Sequence, residues 1–228
     1  MIDLYSLTLE QLTELLASWG EARFRAKQIW TWLYDKRVAS LDAMSNLPKS
    51  LRERLQAETT LGTLTLAAEQ ESADGTLKRL YQLADGQLIE SVLMEYDDDR
   101  RTACISTQAG CALDCSFCST GKQGFNRNLT VAEIVGQLWQ VRQALGADPG
   151  QDAQDERVIS NVVLMGMGEP LANLEHTVTA LRVLLDDNAY GLSRRRVTVS
   201  TSGLVPAMDR LRDECPVALA VSLHAPND

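Results

Sequence analysis

The 228-residue sequence predicts an α/β fold: a partial parallel (βα) barrel of the TIM type, preceded by a small helical unit and a β connector. Three observations carry this prediction. Apolar residues recur at helical spacing through residues 1–60, Asp-Gly pairs break β-prone runs between 61 and 100, and from 101 to 228 strand patterns alternate with helix patterns.

Residues 8–19 (TLEQLTELLASW) place Leu9, Leu12, Leu15, Leu16 and Trp19 on one helical face, with Thr8 and Gln11 spaced as a capping box and Gly20 as the stop. A second helix is expected from Glu21 to Lys36 and a third over 47–57. The second carries Arg23, Arg25, Lys27, Lys36 and Arg37 among Phe24, Trp30, Trp32 and Tyr34. Basic plus aromatic is the composition of an RNA-facing surface. It is equally that of an amphipathic helix with core aromatics and a solvated cationic face, and sequence alone weighs the two evenly.

Between 61 and 107 short β-prone runs are separated by Asp74-Gly75 and Asp85-Gly86, dipeptides that favour type I′ hairpin turns. A strand follows at 101–107, then a cysteine-bearing loop and a helix from Thr130 to about Leu145. Residues 146–157 are too polar for anything but a surface loop. Strands at 158–165, 196–201 and 217–223 alternate with helices near 173–186 and 204–213. Four βα-type strands are too few to close a barrel, and the last would leave an apolar edge unpaired, so the barrel is expected to be incomplete at its C-terminal side.

Hydrophobic residues make up 45% of the chain, enough for one sizeable core and a small accessory unit. No run approaches the roughly 18 apolar residues of a membrane span, and the N-terminus lacks the pattern of a secretory signal, so the expectation is a cytoplasmic protein without membrane contact. Net charge is −9, which excludes bulk electrostatic coating of nucleic acid. The acid is uneven: residues 1–60 balance eight Lys/Arg against eight Asp/Glu, whereas 61–228 hold 14 against 23. A polyanion therefore meets the first segment more easily.

Of five cysteines, three form Cys111-x3-Cys115-x2-Cys118 in the loop after the first core strand. In a reducing compartment this spacing reads as metal ligation. Three thiolates hold three irons of a [4Fe-4S] cubane and leave the fourth open. The alternative is a structural zinc with Cys104 as fourth ligand, which lacks the usual pair of C-x2-C-like knuckles. Gly166-Met167-Gly168-Glu169-Pro170 ends the next strand, where α/β folds place ligands and where Glu169 could accept from an ammonium group. Ser200, and Ser222-Leu223-His224, end the following two strands at the same rim. His176, in the helix after the glycine turn, reads as surface or packing. Cysteine spacing and glycine turn together resemble the radical S-adenosylmethionine superfamily, whose open iron chelates the cofactor's amino and carboxylate groups.

GCALDCSFCSTGKQGFNRNLT, VVLMGMGEPLANL, RRRVTVSTSG and VALAVSLHAPND further resemble the bacterial dual-specificity rRNA/tRNA adenine-C2 methyltransferases, from the helical N-terminal unit to the last residue. The resemblance implies a radical S-adenosylmethionine barrel, about four of whose expected six strands are present. It implies a [4Fe-4S] cluster on Cys111, Cys115 and Cys118, and S-adenosylmethionine, two per turnover, against Gly168, Glu169, Ser200, Ser222, Leu223 and His224. It also implies Glu90 as proton acceptor, and Cys104 as the cysteine that resolves a covalent protein-RNA intermediate by forming a disulfide with a methyl-carrying cysteine. That second cysteine has no match here. Cys215, between a helix and a strand, reads as a buried thiol. The residues to Asp228 are thus expected to bind cluster and cofactor without completing methyl transfer.

The implied substrates are 23S rRNA and the tRNA anticodon loop, the implied electron donor is a flavodoxin or ferredoxin, and a monomer is expected. Two other readings remain open: a C8-adenine methyltransferase or other radical enzyme, and a non-catalytic, metal-stabilised RNA-binding module.

Overall fold

The computed structural model describes residues 1–62, 64–145 and 159–223; the polar 146–157 stretch and His224 lie outside the described residues. The N-terminal unit comprises β1 (Ile2–Asp3), α1 (Leu9–Ser18), α2 (Phe24–Tyr34), α3 (Lys49–Glu58) and β2 (Thr59–Thr60), with β1 and β2 paired in parallel. The capping box forms as the sequence dictates: the Gln11 amide donates to Thr8 Oγ1 (3.3 Å) and the Thr8 amide to Gln11 Oε1 (2.8 Å). Leu12, Leu16, Ile29, Leu33, Leu51 and Leu55 fill the core between the helices. The α2 aromatics divide between core and surface. Trp30 and Tyr34 are buried, their ring centroids 4.5 Å apart, whereas Phe24 is 55% exposed and Lys36 lies over the half-buried Trp32 ring at 4.0 Å.

The connector strands are β3 (Thr65–Glu71), β4 (Leu77–Gln82) and β5 (Leu88–Glu95), followed by β6 (Arg101–Cys104). Both hairpin turns occur where the Asp-Gly pairs stand, but they are not type I′. Only the glycines have positive φ (Gly75 +80°, Gly86 +84°), and the Gly75 amide donates to Ser72 O (3.0 Å) while Ser72 N donates to Thr76 O (2.9 Å). That is a type I turn closed by a left-handed glycine. Asp74 keeps a negative φ because its carboxylate accepts from the Thr76 amide (3.0 Å), a local bond that needs no left-handed aspartate.

Next come β7 (Gln108–Gly110), α4 (Ser119–Lys122), β8 (Phe125–Asn128), α5 (Val131–Ala144), β9 (Asn161–Leu164), α6 (Leu174–Leu185), β10 (Val197–Thr201), α7 (Val205–Glu214) and β11 (Ala218–Val221). One seven-stranded sheet runs in the order β11-β10-β9-β6-β5-β4-β3. Its four βα strands are parallel, and β5, β4 and β3 continue it antiparallel, so the connector is an extension of the same sheet. Helices α5, α6 and α7 lie side by side on one face, over Ala103, Val162, Leu164, Val197 and Val199. The alternation of a strand sends the intervening residues to the opposite, half-open face: Glu90 and Val92 on β5, Cys104 on β6, Val163 on β9 and Ser200 on β10. Among the described residues no helix is long and apolar enough to cross a membrane.

Candidate metal and cofactor site

The cysteine loop leaves β6 through Ile105-Ser106-Thr107 and is clasped at its base by the β7–β8 hairpin, an element the sequence patterns did not reveal. Gly110 is the closing point. Its φ is +76°, and a Cβ there would sit 1.9 Å from Gly124 O, the oxygen that accepts from the Cys111 amide at 2.9 Å. Cys111, Cys115 and Cys118 are all half-buried free thiols on this one loop. A turn with Cys118 N donating to Cys115 O (2.9 Å) brings the last two together, and Asp114 takes a left-handed φ of +41° to make the bend. Burial pushes the Cys111 thiol up from its ordinary value, a hydrogen bond with the Leu113 backbone pulls it down, and Cys118, Cys115 and Glu169, all within electrostatic reach of it, push it up further.

Among the described residues no three His, Cys, Asp or Glu side chains already converge as a finished metal cage. The donor set nevertheless fits an iron-sulfur cluster: three soft thiols on one closed loop. Cys104 belongs to the sheet and not to this loop. It stands on β6 paired with Val92 and Val163, and burial alone pushes its thiol up, opposed by a hydrogen bond to the Met165 backbone. All five cysteines are free, so the structure contains no disulfide. Glu90 shares the open face with Cys104, two residues along β5 from Val92, the residue directly opposite Cys104. Its carboxylate pairs with Lys78 Nζ at 2.7 Å, both side chains remaining about half exposed.

The glycine turn meets the cysteine loop from the β9 side. Glu169 is 4% exposed and caps the 3-10 turn Pro170–Asn173: Oε1 accepts from the Leu171 amide (3.0 Å) and Oε2 from the Ser202 amide (2.9 Å) and hydroxyl (3.3 Å). Three of the roughly four acceptor positions of a carboxylate are thereby filled from within the chain, leaving one for a ligand. Gly168 (φ +96°) is forced for a reason other than ligand approach, because a Cβ would lie 2.4 Å from Gln108 Cβ.

A buried polar lattice fixes this junction. Ser106 Oγ donates to Glu90 O (2.6 Å) and accepts from the Met167 amide (2.8 Å), Gln137 clamps both backbone polar groups of Ser106 (2.8 and 2.9 Å), and Asn173 Nδ2 donates to Thr107 O and Leu129 O (2.9 and 2.8 Å). Ser106, Gln108, Gln137, Asn173 and Ser202 were missed from sequence; the only available signal was amide and hydroxyl residues inside otherwise apolar runs. Ser200 sits within β10 on the open face, while Ser222, whose amide donates to Thr201 O (2.9 Å), and Leu223, 79% exposed, follow β11. His176 Nδ1 lies 2.8 Å from Leu129 O, a packing role, and Cys215 is buried at the end of α7.

Residues 105–228 match the family described as the radical SAM superfamily. The chain belongs to the radical SAM superfamily. Its residues 2–61 match the ribosomal RNA large subunit methyltransferase N-terminal domain, so this radical SAM chain carries that domain ahead of its sheet. The whole chain is also similar to a radical SAM methyltransferase from Sphaerobacter thermophilus, with 48% identity and a TM-score of 0.87, over 100% of this chain and 65% of that one. The chain spans about two thirds of that relative's length.

Proposed function

We propose that this radical SAM chain is the cluster- and cofactor-binding part of an RNA methyltransferase that acts on adenine C2 in 23S rRNA and tRNA. Cys111, Cys115 and Cys118 hold a [4Fe-4S] cluster, and Gly168, Glu169, Ser200, Ser222, Leu223 and His224 hold S-adenosylmethionine. When bound, the cluster would supply the electron for reductive cleavage of the S-adenosylmethionine sulfonium.

The observation that carries this reading is the junction of the Cys111–Cys118 loop with the Gly168-Glu169 turn, which brings Cys115, Cys118 and the buried Glu169 carboxylate within electrostatic reach of Cys111 at the carboxyl ends of β6 and β9. Glu169 keeps one acceptor position for an ammonium group, and its three internal bonds fix where that position points. Glu90 serves as proton acceptor from the open sheet face, with Lys78 orienting its carboxylate. Cys104, on the same face, stays a protonated thiol until a partner thiol and the RNA adduct are at hand. Phe24, Trp32 and the cations Arg25 and Lys36 offer a stacking and charge surface to folded RNA. Electrons come from a flavodoxin or ferredoxin, and the protein works as a cytoplasmic monomer.

The test is anaerobic: the iron-loaded, reduced chain is incubated with S-adenosylmethionine and assayed for 5′-deoxyadenosine, then for retention of a 23S rRNA fragment or tRNA. Release of 5′-deoxyadenosine and a band shift are expected. A chain that holds zinc, releases none and still binds RNA would replace this reading with the metal-stabilised binding module.

A further inference from the structure

We infer that Gln108 is a positioning residue that ties the cofactor turn to the cysteine loop, so that the two halves of the site hold a fixed relation. The inference rests on the cluster and cofactor reading above. Gln108 is 1% exposed and stands three residues before Cys111, at the start of β7. Its orientation is determined by chemistry: the Glu169 amide can only donate, so the group 2.9 Å from it is Gln108 Oε1, which leaves Nε2 to donate to Asn128 Oδ1 at 2.8 Å. One side chain therefore spans three segments, namely the strand entering the cysteine loop, the strand leaving it and the Gly168-Glu169 turn.

Two further features belong to the same tie. Gly168 lies so close that a Cβ there would be 2.4 Å from Gln108 Cβ and 2.8 Å from Gln108 N. The Met167 carbonyl accepts from both the Thr107 and Gln108 amides, at 2.9 and 3.2 Å. Backbone bonds thus dock the turn on the loop, and the Gln108 side chain carries that docking across to β8. The thiols themselves are held by other bonds, chiefly Cys111 N to Gly124 O and Cys118 N to Cys115 O. Loss of the Gln108 amide is therefore expected to leave thiol ligation intact while loosening Glu169, whose buried N–H loses its acceptor.

The experiment compares the wild-type chain with Gln108→Met, which keeps the volume and removes both bonds, and with Asn128→Ala, which removes only the outer one. In the iron-free chain, amide hydrogen exchange at 166–171 is expected to rise about tenfold in Gln108→Met. After anaerobic reconstitution that variant should retain wild-type iron, yet need about tenfold more S-adenosylmethionine to alter the electron paramagnetic resonance spectrum of the reduced cluster. Unchanged exchange and an unchanged titration would overturn the inference, as would loss of iron from a chain that is otherwise folded. If Gln108→Met does not fold, Asn128→Ala decides, a rightward titration supporting the tie and an unshifted one refuting it. A wild-type chain that takes no iron would refute the proposed function instead, and the exchange arm would still decide on Gln108.

Discussion

Gly110 and Gly124 offer a controlled test of what closes the cysteine loop, because both have φ of +76° and only one is crowded. Around Gly124 nothing lies within 4 Å of an added Cβ, whereas at Gly110 that atom would fall 1.9 Å from a backbone carbonyl oxygen. Alanine at either position incurs the left-handed strain, about 1 to 2 kcal/mol. At Gly110 the methyl must also displace the oxygen that holds Cys111 N, adding about 1 to 3 kcal/mol by analogy with overpacking. Gly110→Ala is therefore expected to lose roughly 2 to 5 kcal/mol and Gly124→Ala roughly 1 to 2 kcal/mol. Urea unfolding of the iron-free, reduced chain reads the difference, with a midpoint about 1 M lower for Gly110→Ala if m is about 3 kcal/mol/M. Iron retention after reconstitution should follow the same order. Equal losses at the two glycines, or a milder effect at Gly110, would refute the claim that the approach of 110 to 124 builds the loop.

Arg127 bridges Asp85 on the β4–β5 turn and Glu133 in the α5 capping box, so Arg127→Leu should destabilise the chain by about 1 kcal/mol, and 1 M salt should shrink the gap to wild type; an unchanged gap would place the loss in packing rather than charge. Trp30→Ala should cost about 3 to 5 kcal/mol, while Phe24→Ala should leave stability within about 0.5 kcal/mol and weaken RNA retention several-fold; the two are compared by urea midpoints and filter binding. Burial raises the Cys215 thiol, against the opposing pull of Arg182 and Arg194. The stability it contributes is complete below the unfolded thiol value of about 8.5 and is lost as pH rises from there through the folded value. Urea midpoints of the iron-free chain between about pH 8 and 10 should therefore fall less steeply in Cys215→Ala, and equal slopes would contradict the burial effect.

Periodicity exposed the helices and the parallel strands because each carries one apolar stripe or one buried face: Leu12, Leu16 and Leu55 in the first unit, Val162, Leu164, Val197 and Val199 in the sheet. The cysteine spacing and the GMGEP run were legible as motifs for a different reason, since the proposed ligand chemistry demands particular residues at particular intervals. What stayed hidden was set by contacts distant in sequence. The β7–β8 hairpin has only three and four residues per strand and exists because Gly110 meets Gly124, which no local pattern encodes. The fusion of the connector strands into the parallel sheet depends on β5 pairing with β6, and a short antiparallel run reads the same whether it joins a neighbour or stands alone. Gln108, Asn173 and Ser202 were invisible because a buried amide or hydroxyl announces itself only through its partners. The turn type at Asp74-Gly75 was misread because the aspartate side chain found a local backbone donor in Thr76.

The central claim, that three thiols on one loop hold an iron-sulfur cluster open to S-adenosylmethionine, is tested most directly by anaerobic reconstitution with iron and sulfide. Iron content and the reduced-state electron paramagnetic resonance spectrum are read with and without S-adenosylmethionine, in the wild-type chain and in Cys118→Ala. About four irons per chain, a spectrum altered by the cofactor and loss of both in Cys118→Ala are predicted. A folded chain that takes up no iron, or a Cys118→Ala variant whose cluster is unchanged, would contradict the account.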